Sequence, residues 1–247
     1  MRAEIAASAV ILSARGLSKS YGALCVTDNV DFDLREGEVL GVLAPNGAGK
    51  TTLFNLVSGD ERMDCGRLEF RGEPLQNEPP FARARRGIGR TYQGPRPYST
   101  MSTFENLRVA AMFSAGQKEN EAYEQCAALL DYCDLGGRAN LAAGSLTLLD
   151  RKRLELARAL AGRPKLLLLD EIAGGLTEGE SGILVQLIRQ IRDRGVTIIW
   201  IEHVIHAIMA VADRLLVLNF GQKIAEGSPS AVMADKDVRR VYMGIEG

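Results

Sequence analysis

A charge excess of either sign is missing. Thirty basic and 31 acidic residues leave a formal net charge of −1 over 247 residues. Bulk charge therefore argues for neither nucleic acid nor an acidic membrane surface. Histidine is scarce, with only His203 and His206. The four cysteines, Cys25, Cys65, Cys126 and Cys133, are scattered and form no C-x-x-C pair. A zinc site lacks ligands, and free thiols fit a reducing compartment. Long apolar runs are absent. None approaches the ~20 residues that span a bilayer, so any membrane association is expected to run through a partner. The opening MRAEIAASAVIL carries Glu4 and leads directly into strand-like sequence, so no signal peptide is expected. Repeats, low-complexity segments and flexible linkers are lacking too. What remains, 46% hydrophobic and 25% charged residues, is the make-up of a globular chain long enough to bury a core.

The stretch APNGAGKTT, Ala44 to Thr52, organises what is there. A short apolar run, Val39 to Leu43, precedes it, and an apolar-periodic segment, Leu53, Phe54, Leu56 and Val57, follows. That order predicts a buried strand, a Gly-rich loop and a helix. In such a loop the backbone N–H groups and the helix N-terminus converge on phosphates, the lysine reaches the β and γ phosphates, and the next hydroxyl takes Mg²⁺. Lys50 and Thr51 hold those positions. Ala44 departs from the pattern, which has glycine there; Gly47 and Gly49 remain.

Strands are expected over Ile11–Arg15, Val30–Leu34, Gly66–Gly72 and Gly87–Gln93. Tyr21 falls in the loop-like SKSYG and is either a core aromatic or a stacking surface for a base. Pro79 and Pro80 open a basic helix, FARARR. From Gly94 to about Leu160 the pattern turns helical. Ser102 and Glu105 match a capping box that starts one helix. A second is expected from Lys118 to Tyr132, with Ala122, Cys126, Leu129, Leu130 and Cys133 on one face. A third runs from Asp150 to Ala161. This block is a helical insertion. Leu166 to Leu169 is apolar on both faces, as a central parallel strand requires, and closes on Asp170 and Glu171. Further helices are expected over Glu178–Arg194 and Val204–Ala212, with strands over Val196–Ile201 and Arg214–Leu218 and a hairpin at Asn219–Gln222.

Three features then share one geometry. The phosphate loop, Asp170-Glu171 and His203 each stand just past the carboxyl end of a buried strand, the edge at which open parallel sheets bind ligands. Asp170 is placed to orient a Mg²⁺ held by Thr51, and Glu171 to face an attacking water. Gln93 stands where a strand meets the insertion, in reach of metal or water. His206 reads as an ordinary hydrogen-bonded residue. The basic clusters Arg83, Arg85, Arg86, Arg90 and Arg96, and Arg151, Lys152 and Arg153, read as a solvated or partner-facing surface, since no aromatic interleaving supports nucleic acid.

APNGAGKTT, RTYQ, the segment before RLELARAL, LLLLDE and IEH, in that order and spacing, resemble an ABC transporter nucleotide-binding (ATPase) subunit. The resemblance covers about Ile11 to Gly247. RTYQ with TFENLRVAA, IEHVIHAIM and the ending DVRRVYMGIEG look most like the ATP-binding proteins of branched-chain amino-acid importers, with lipopolysaccharide-export ATPases as a close alternative. It implies one α/β domain, a P-loop NTPase with a mixed, largely parallel core sheet, an antiparallel β subdomain and an inserted α-helical subdomain. The core and antiparallel part would take about 11–93 and 161–247, and the helical subdomain about 94–160.

The resemblance also implies ATP and Mg²⁺ and assigns roles. Tyr21 looks like the adenine-stacking aromatic. Asn46, Gly47, Ala48, Gly49, Lys50, Thr51 and Thr52 bind phosphates. Thr51, Gln93 and Asp170 serve the metal, Glu171 is the general base, and Lys50, Gln93 and His203 act on the γ-phosphate. The implied partners are transmembrane permease subunits pressing on Gly94–Glu105, a second ATPase subunit and, indirectly, an extracytoplasmic solute-binding protein. The implied location is the cytoplasmic face of the bacterial inner membrane. The family's LSGGQ signature is replaced by Leu146-Thr147-Leu148-Leu149-Asp150. Thr147 keeps a hydroxyl for the partner's nucleotide, the two leucines replace glycines, and Asp150 is expected to set a negative charge near an anionic ligand. Ile172 replaces a proline and Thr177 an aspartate. Either this is a tolerated variant or the assembly is an asymmetric heterodimer. Soluble repair or translation ATPases, which carry tandem domains, a coiled coil or a basic arm, fit less well. A regulatory subunit with weak hydrolysis is favoured by Ala44 and the altered signature and opposed by Glu171 and His203.

Overall fold

The computed structural model describes residues 8–243. The first seven residues and the final four of DVRRVYMGIEG lie outside the described residues. Two sheets form the scaffold. In the antiparallel sheet, β1 (Val10–Tyr21) lies between β2 (Leu24–Arg35) and β4 (Cys65–Phe70), and β5 (Glu73–Pro74) sits at the edge. The second sheet has the order β10-β9-β3-β8-β7-β6. Its strands are β3 (Val39–Leu43), β6 (Ile88–Arg90), β7 (Leu166–Asp170), β8 (Thr197–Ile201), β9 (Arg214–Asn219) and β10 (Gln222–Gly227). All its pairings are parallel except the β9–β10 hairpin.

Period-2 alternation divides β7 between two cores. Leu166 and Leu168 pack with the antiparallel sheet, through residues such as Leu12, Phe32 and Leu34, and with α1 (Lys50–Ser58). Leu167 and Leu169 pack on the other side, against α6 (Glu178–Asp193) and the helical block. Every residue of β3, β7 and β8 is buried, which is why their sequences read as continuous apolar runs. The block comprises α3 (Thr103–Phe113), α4 (Glu119–Tyr132) and α5 (Leu148–Ala161). Ser102 and Glu105 form the capping box of α3. Ala122, Cys126 and Leu130 are the buried face of α4, and burial pushes the Cys126 thiol to about 11 and that of Cys133 to about 12. The remaining helices are α2 (Pro80–Arg86), α7 (Ile205–Met209), α8 (Pro229–Ala234) and α9 (Lys236–Met243).

Some expectations need correction. Tyr21 is not in a loop: it ends β1, paired with Leu24 across the hairpin. The mixed polar run Leu24–Asn29 hid the first half of β2, whose pairing with β1 shifts register several times. The strand toward Gln93 ends at Arg90, although Thr91 still donates to Leu168 O at 2.9 Å. The helix after His203 is only five residues long. The basic run is not throughout the solvated or partner-facing surface expected of it: Arg85 and Arg96 are exposed, but other members turn inward. Arg83 is 2% exposed. Its guanidinium donates to Leu56 O (2.6 Å) and Val57 O (2.9 Å) at the end of α1, and to Leu75 O (2.6 Å). It therefore satisfies carbonyls that a helix C-terminus leaves without partners. Lys152 and Arg153 are buried as well.

Candidate functional site

The loop between β3 and α1 is built to leave donors free. Gly47 (φ 80°) and Gly49 (φ 93°) take left-handed backbone, which glycine adopts without the Cβ penalty. At Gly49 a Cβ would stand 2.2 Å from Val26 O. Gly49 caps α1 with no side-chain hydrogen bond, so no side chain satisfies the first-turn N–H groups and the helix dipole faces the loop. Ala44 is buried and does not take left-handed φ; its methyl belongs to the core, which is how the loop tolerates it. Asn46, Gly47 and Thr51 are exposed, whereas Ala48, Gly49 and Thr52 are buried. Lys50, 7% exposed, donates to Ala44 O at 2.7 Å and to Pro45 O at 3.3 Å, and lies 3.7 Å from Glu171 Oε1.

The carboxylates converge on the same point. Asp170 ends β7, 4% exposed. Its N–H donates to Thr91 Oγ1 (3.2 Å), and its Oδ2 accepts from Arg90 Nη2 (3.3 Å). Burial pushes this carboxyl above its usual range, and the Arg90 guanidinium pulls against that. Glu171 takes φ 43°, the left-handed region that a non-glycine residue enters only under constraint. Its N–H donates to Ile201 O at 2.9 Å. Gln93 Nε2 donates to Glu171 Oε2 at 2.6 Å, and His203 Nδ1 lies 3.7 Å from that same oxygen. Lys50, Gln93, Asp170, Glu171 and His203 therefore gather at one sheet edge.

Three further residues hold this group. Glu202 is fully buried. It accepts from the N–H groups of Ala173 (3.1 Å), His203 (3.0 Å) and Val204 (3.3 Å), and its Oε1 lies 3.2 Å from His203 Nδ1. A charged residue closing an otherwise apolar strand was its sequence signal. Lys152, from α5, extends Nζ to Gln93 O (3.5 Å) and Glu171 O (3.4 Å). Burial draws its ammonium below the usual lysine range, while Glu202, Glu171 and Glu155 oppose the shift. Arg90 is the third. Sequence reasoning missed Lys152 and Arg90, because nothing in a basic run marks the side chains that turn inward.

Tyr21 stands at the rim, 47% exposed. Its hydroxyl bonds the Glu61 carboxylate and lies beside Thr52. The Lys19 ammonium is 5.6 Å from the ring centroid. Thr147 does not join the group. It caps α5, accepting from Asp150 N (3.2 Å) and donating to Asp150 Oδ2 (2.9 Å). Asp150 is 3% exposed and paired with Arg138 Nε (2.8 Å) and Arg153 Nη1 (3.3 Å). The negative charge expected near an anionic ligand is thus buried and paired with two arginines. Leu148 is 38% exposed, and a Cβ on Gly175 would touch it at 3.4 Å. Thr177, in the aspartate position, serves as the N-cap of α6 in a capping box with Glu180.

A family model described as ABC transporter matches residues 27–174. The chain belongs to the ABC transporter family. A second model, branched-chain amino acid ATP-binding cassette transporter, matches residues 222–247. BraF of Pseudomonas aeruginosa, a high-affinity branched-chain amino acid transport ATP-binding protein, is 36% identical, with 95% of this chain and 98% of BraF covered. LivG of Escherichia coli K12, of the same description, is 35% identical with the same coverage. The lipopolysaccharide export system ATP-binding protein LptB of E. coli K12 is 34% identical over 94% of this chain and 97% of LptB. Among solved structures, an ATP-binding cassette of an ABC transporter in its ADP conformation superposes with TM-score 0.88 at 29% identity. It covers 96% of this chain and 100% of that one. This chain is thus an ATP-binding ABC ATPase most like those of branched-chain amino-acid importers.

The residues of this cassette fit nucleotide and a divalent cation. The bare N-terminus of α1 and the open face of Gly47 form an anion cradle. Among the described residues no three His, Cys, Asp or Glu side chains group to hold a metal. A cation held by Thr51 and Asp170 would complete its shell with water or phosphate oxygens, as Mg²⁺ commonly does. Between the sheet edge and the helical block lies a cleft of about 500 Å³, lined by Asp60, Arg90, Tyr92, Tyr98, Glu155 and Arg158 among others. No helix among the described residues is long and apolar enough to cross a membrane.

Proposed function

We propose that this cassette energises uptake of a small solute, a branched-chain or related amino acid, through permease subunits at the cytoplasmic face of a bacterial inner membrane. The observation that carries its ATPase chemistry is the convergence of Lys50, Asp170, Gln93, Glu171 and His203 beyond the carboxyl ends of β3, β6, β7 and β8. Lys50 leaves the Ala44 and Pro45 carbonyls for the β- and γ-phosphates. The N–H groups from Asn46 to Thr52 enclose the phosphates, and Tyr21 lies under the base. Thr51, Asp170 and Gln93 would hold Mg²⁺, which would supply positive charge to offset that developing on the phosphates. Glu171 accepts the proton of the attacking water; its backbone and Gln93 fix its direction. His203, held by Glu202, donates toward the γ-phosphate. The cleft beside Tyr92 and Tyr98 receives a permease segment. The match of residues 222–247 to the branched-chain model supports an amino-acid importer over lipopolysaccharide export.

The second ATPase subunit completes the assembly, and a solute-binding protein feeds it from outside. The hydrogen-bonded state of Thr147 and Asp150 supports a partner of different sequence. Such a partner contributes its own signature to this chain's intact site, while the site facing Thr147 turns over slowly. Two measurements test the reading. Purification of the assembled complex, with subunits identified by mass and the solute on its binding protein identified, is expected to yield permeases and an amino acid. Glu171→Gln is expected to lower ATPase turnover of that complex by roughly 10²–10⁴-fold while ATP still binds. Near-normal turnover in Glu171→Gln would overturn the assignment.

A further inference from the structure

Arg90 is a buried cation that the roles above leave unused. Its side chain is 8% exposed. Nη1 donates at 2.8 Å to each of Asn55 Oδ1, Ser58 Oγ and Asp60 Oδ2. These acceptors lie on the last turns of α1 and just beyond it. Nη2 reaches Asp170 Oδ2 at 3.3 Å. The guanidinium carbon lies 4.9 Å from the Tyr92 ring centroid and 5.8 Å from that of Phe54. Desolvating a guanidinium is expensive, and an apolar side chain often fills such a volume with no loss of stability. A fork that spans two elements offers what an apolar side chain does not, fixed geometry.

We propose that Arg90 is a positioning residue for the metal carboxylate. One helix carries both ends of the arrangement. Thr51 stands in the first turn of α1, and Arg90 is anchored on its last turns. Because α1 is a rigid nine-residue helix, Arg90 sets Asp170 at a fixed distance from Thr51. It engages Oδ2, and among the described residues no side chain hydrogen-bonds Oδ1. The proposal rests on Thr51 and Asp170 serving Mg²⁺.

The test compares nucleotide affinity with and without metal, using a fluorescent ADP analogue titrated in Mg²⁺ and in EDTA. Arg90→Gln is expected to weaken binding about tenfold in Mg²⁺ and less than twofold in EDTA. Arg90→Lys, with one ammonium for several acceptors, falls between. In an Asp170→Asn background, Arg90→Gln is expected to add no further loss in Mg²⁺. Equal losses in both buffers, or additive losses in the double variant, would overturn the proposal and leave Arg90 as a brace between β6 and α1. If Arg90→Gln does not fold, Asn55→Ala loosens the anchor without touching Asp170, and the same comparison decides. No Mg²⁺ dependence in the wild-type protein would instead overturn the metal assignment itself.

Discussion

Two helix N-termini in this molecule carry opposite chemistry. At α1 the cap is Gly49, with no side-chain bond to the first turn. At α5 the cap is Thr147, whose hydroxyl already bonds Asp150, and that carboxylate is held by two arginines. Both ends carry the same dipole. At the first no side chain takes a donor from an incoming anion, whereas at the second Thr147 Oγ1 already holds the Asp150 N–H and a carboxylate stands beside it. A helix end binds phosphate when its sequence withholds the internal acceptor, and it serves packing when the sequence supplies one.

The comparison breaks most sharply if the bare end is filled. Gly49→Ala sets a methyl 2.2 Å from Val26 O in left-handed backbone. Strain of about 1–2 kcal/mol for the conformation adds to overlap of about 1–3 kcal/mol. Nucleotide affinity should therefore drop roughly a hundredfold or more, read by ADP titration; a loss under tenfold would show that the loop adjusts. The converse change is made at α5. Asp150→Ala removes one of the two carboxylates paired with buried Arg153 and should destabilise the fold by about 3 kcal/mol, less to the extent that Asp134, 3.0 Å from Arg153 Nη2, and water at half-exposed Arg138 compensate. Urea denaturation reads that loss, while ADP affinity of the isolated chain should stay within twofold. An equal fall in both would mean that the two ends are coupled within one subunit.

The smallest effect is expected at Ala44. With φ outside the left-handed region, Ala44→Gly frees the unfolded chain and removes one buried methyl, and should lower stability by about 1–2 kcal/mol. A gain in stability or in affinity would show that the alanine strains the loop.

What could be read from sequence follows the same division. The apolar run of β7, the Ser102–Glu105 capping box and the Gly-rich loop were legible, because each is a local pattern with one physical solution. The fates of Arg83, Arg90, Lys152 and Asp150 were illegible. Each depends on a partner supplied from another part of the chain: the acceptors Leu56 O and Val57 O for Arg83, Asp170 for Arg90 and Glu171 O for Lys152, and the donor Arg138 for Asp150. A charge in a basic run reads as solvated until the fold supplies its partner. Glu202 was half legible, since its place at a strand end was visible but the three N–H groups it accepts from were not.

One feature reaches further than its distances. The loop after β6 is tied to α5 along its length. Lys152 holds Gln93 O, Glu155 accepts from Arg96 N at 2.6 Å, and Arg158 donates to Arg96 O at 2.9 Å. Gln93 is tied in turn to Glu171. A tilt of the helical block therefore tows Gln93 with it, and the hydrogen bond to the glutamate must stretch or rotate in proportion. The orientation of the block and the setting of the Glu171 carboxylate are then one mechanical degree of freedom. Whatever presses on the block from outside has its hand on that carboxylate.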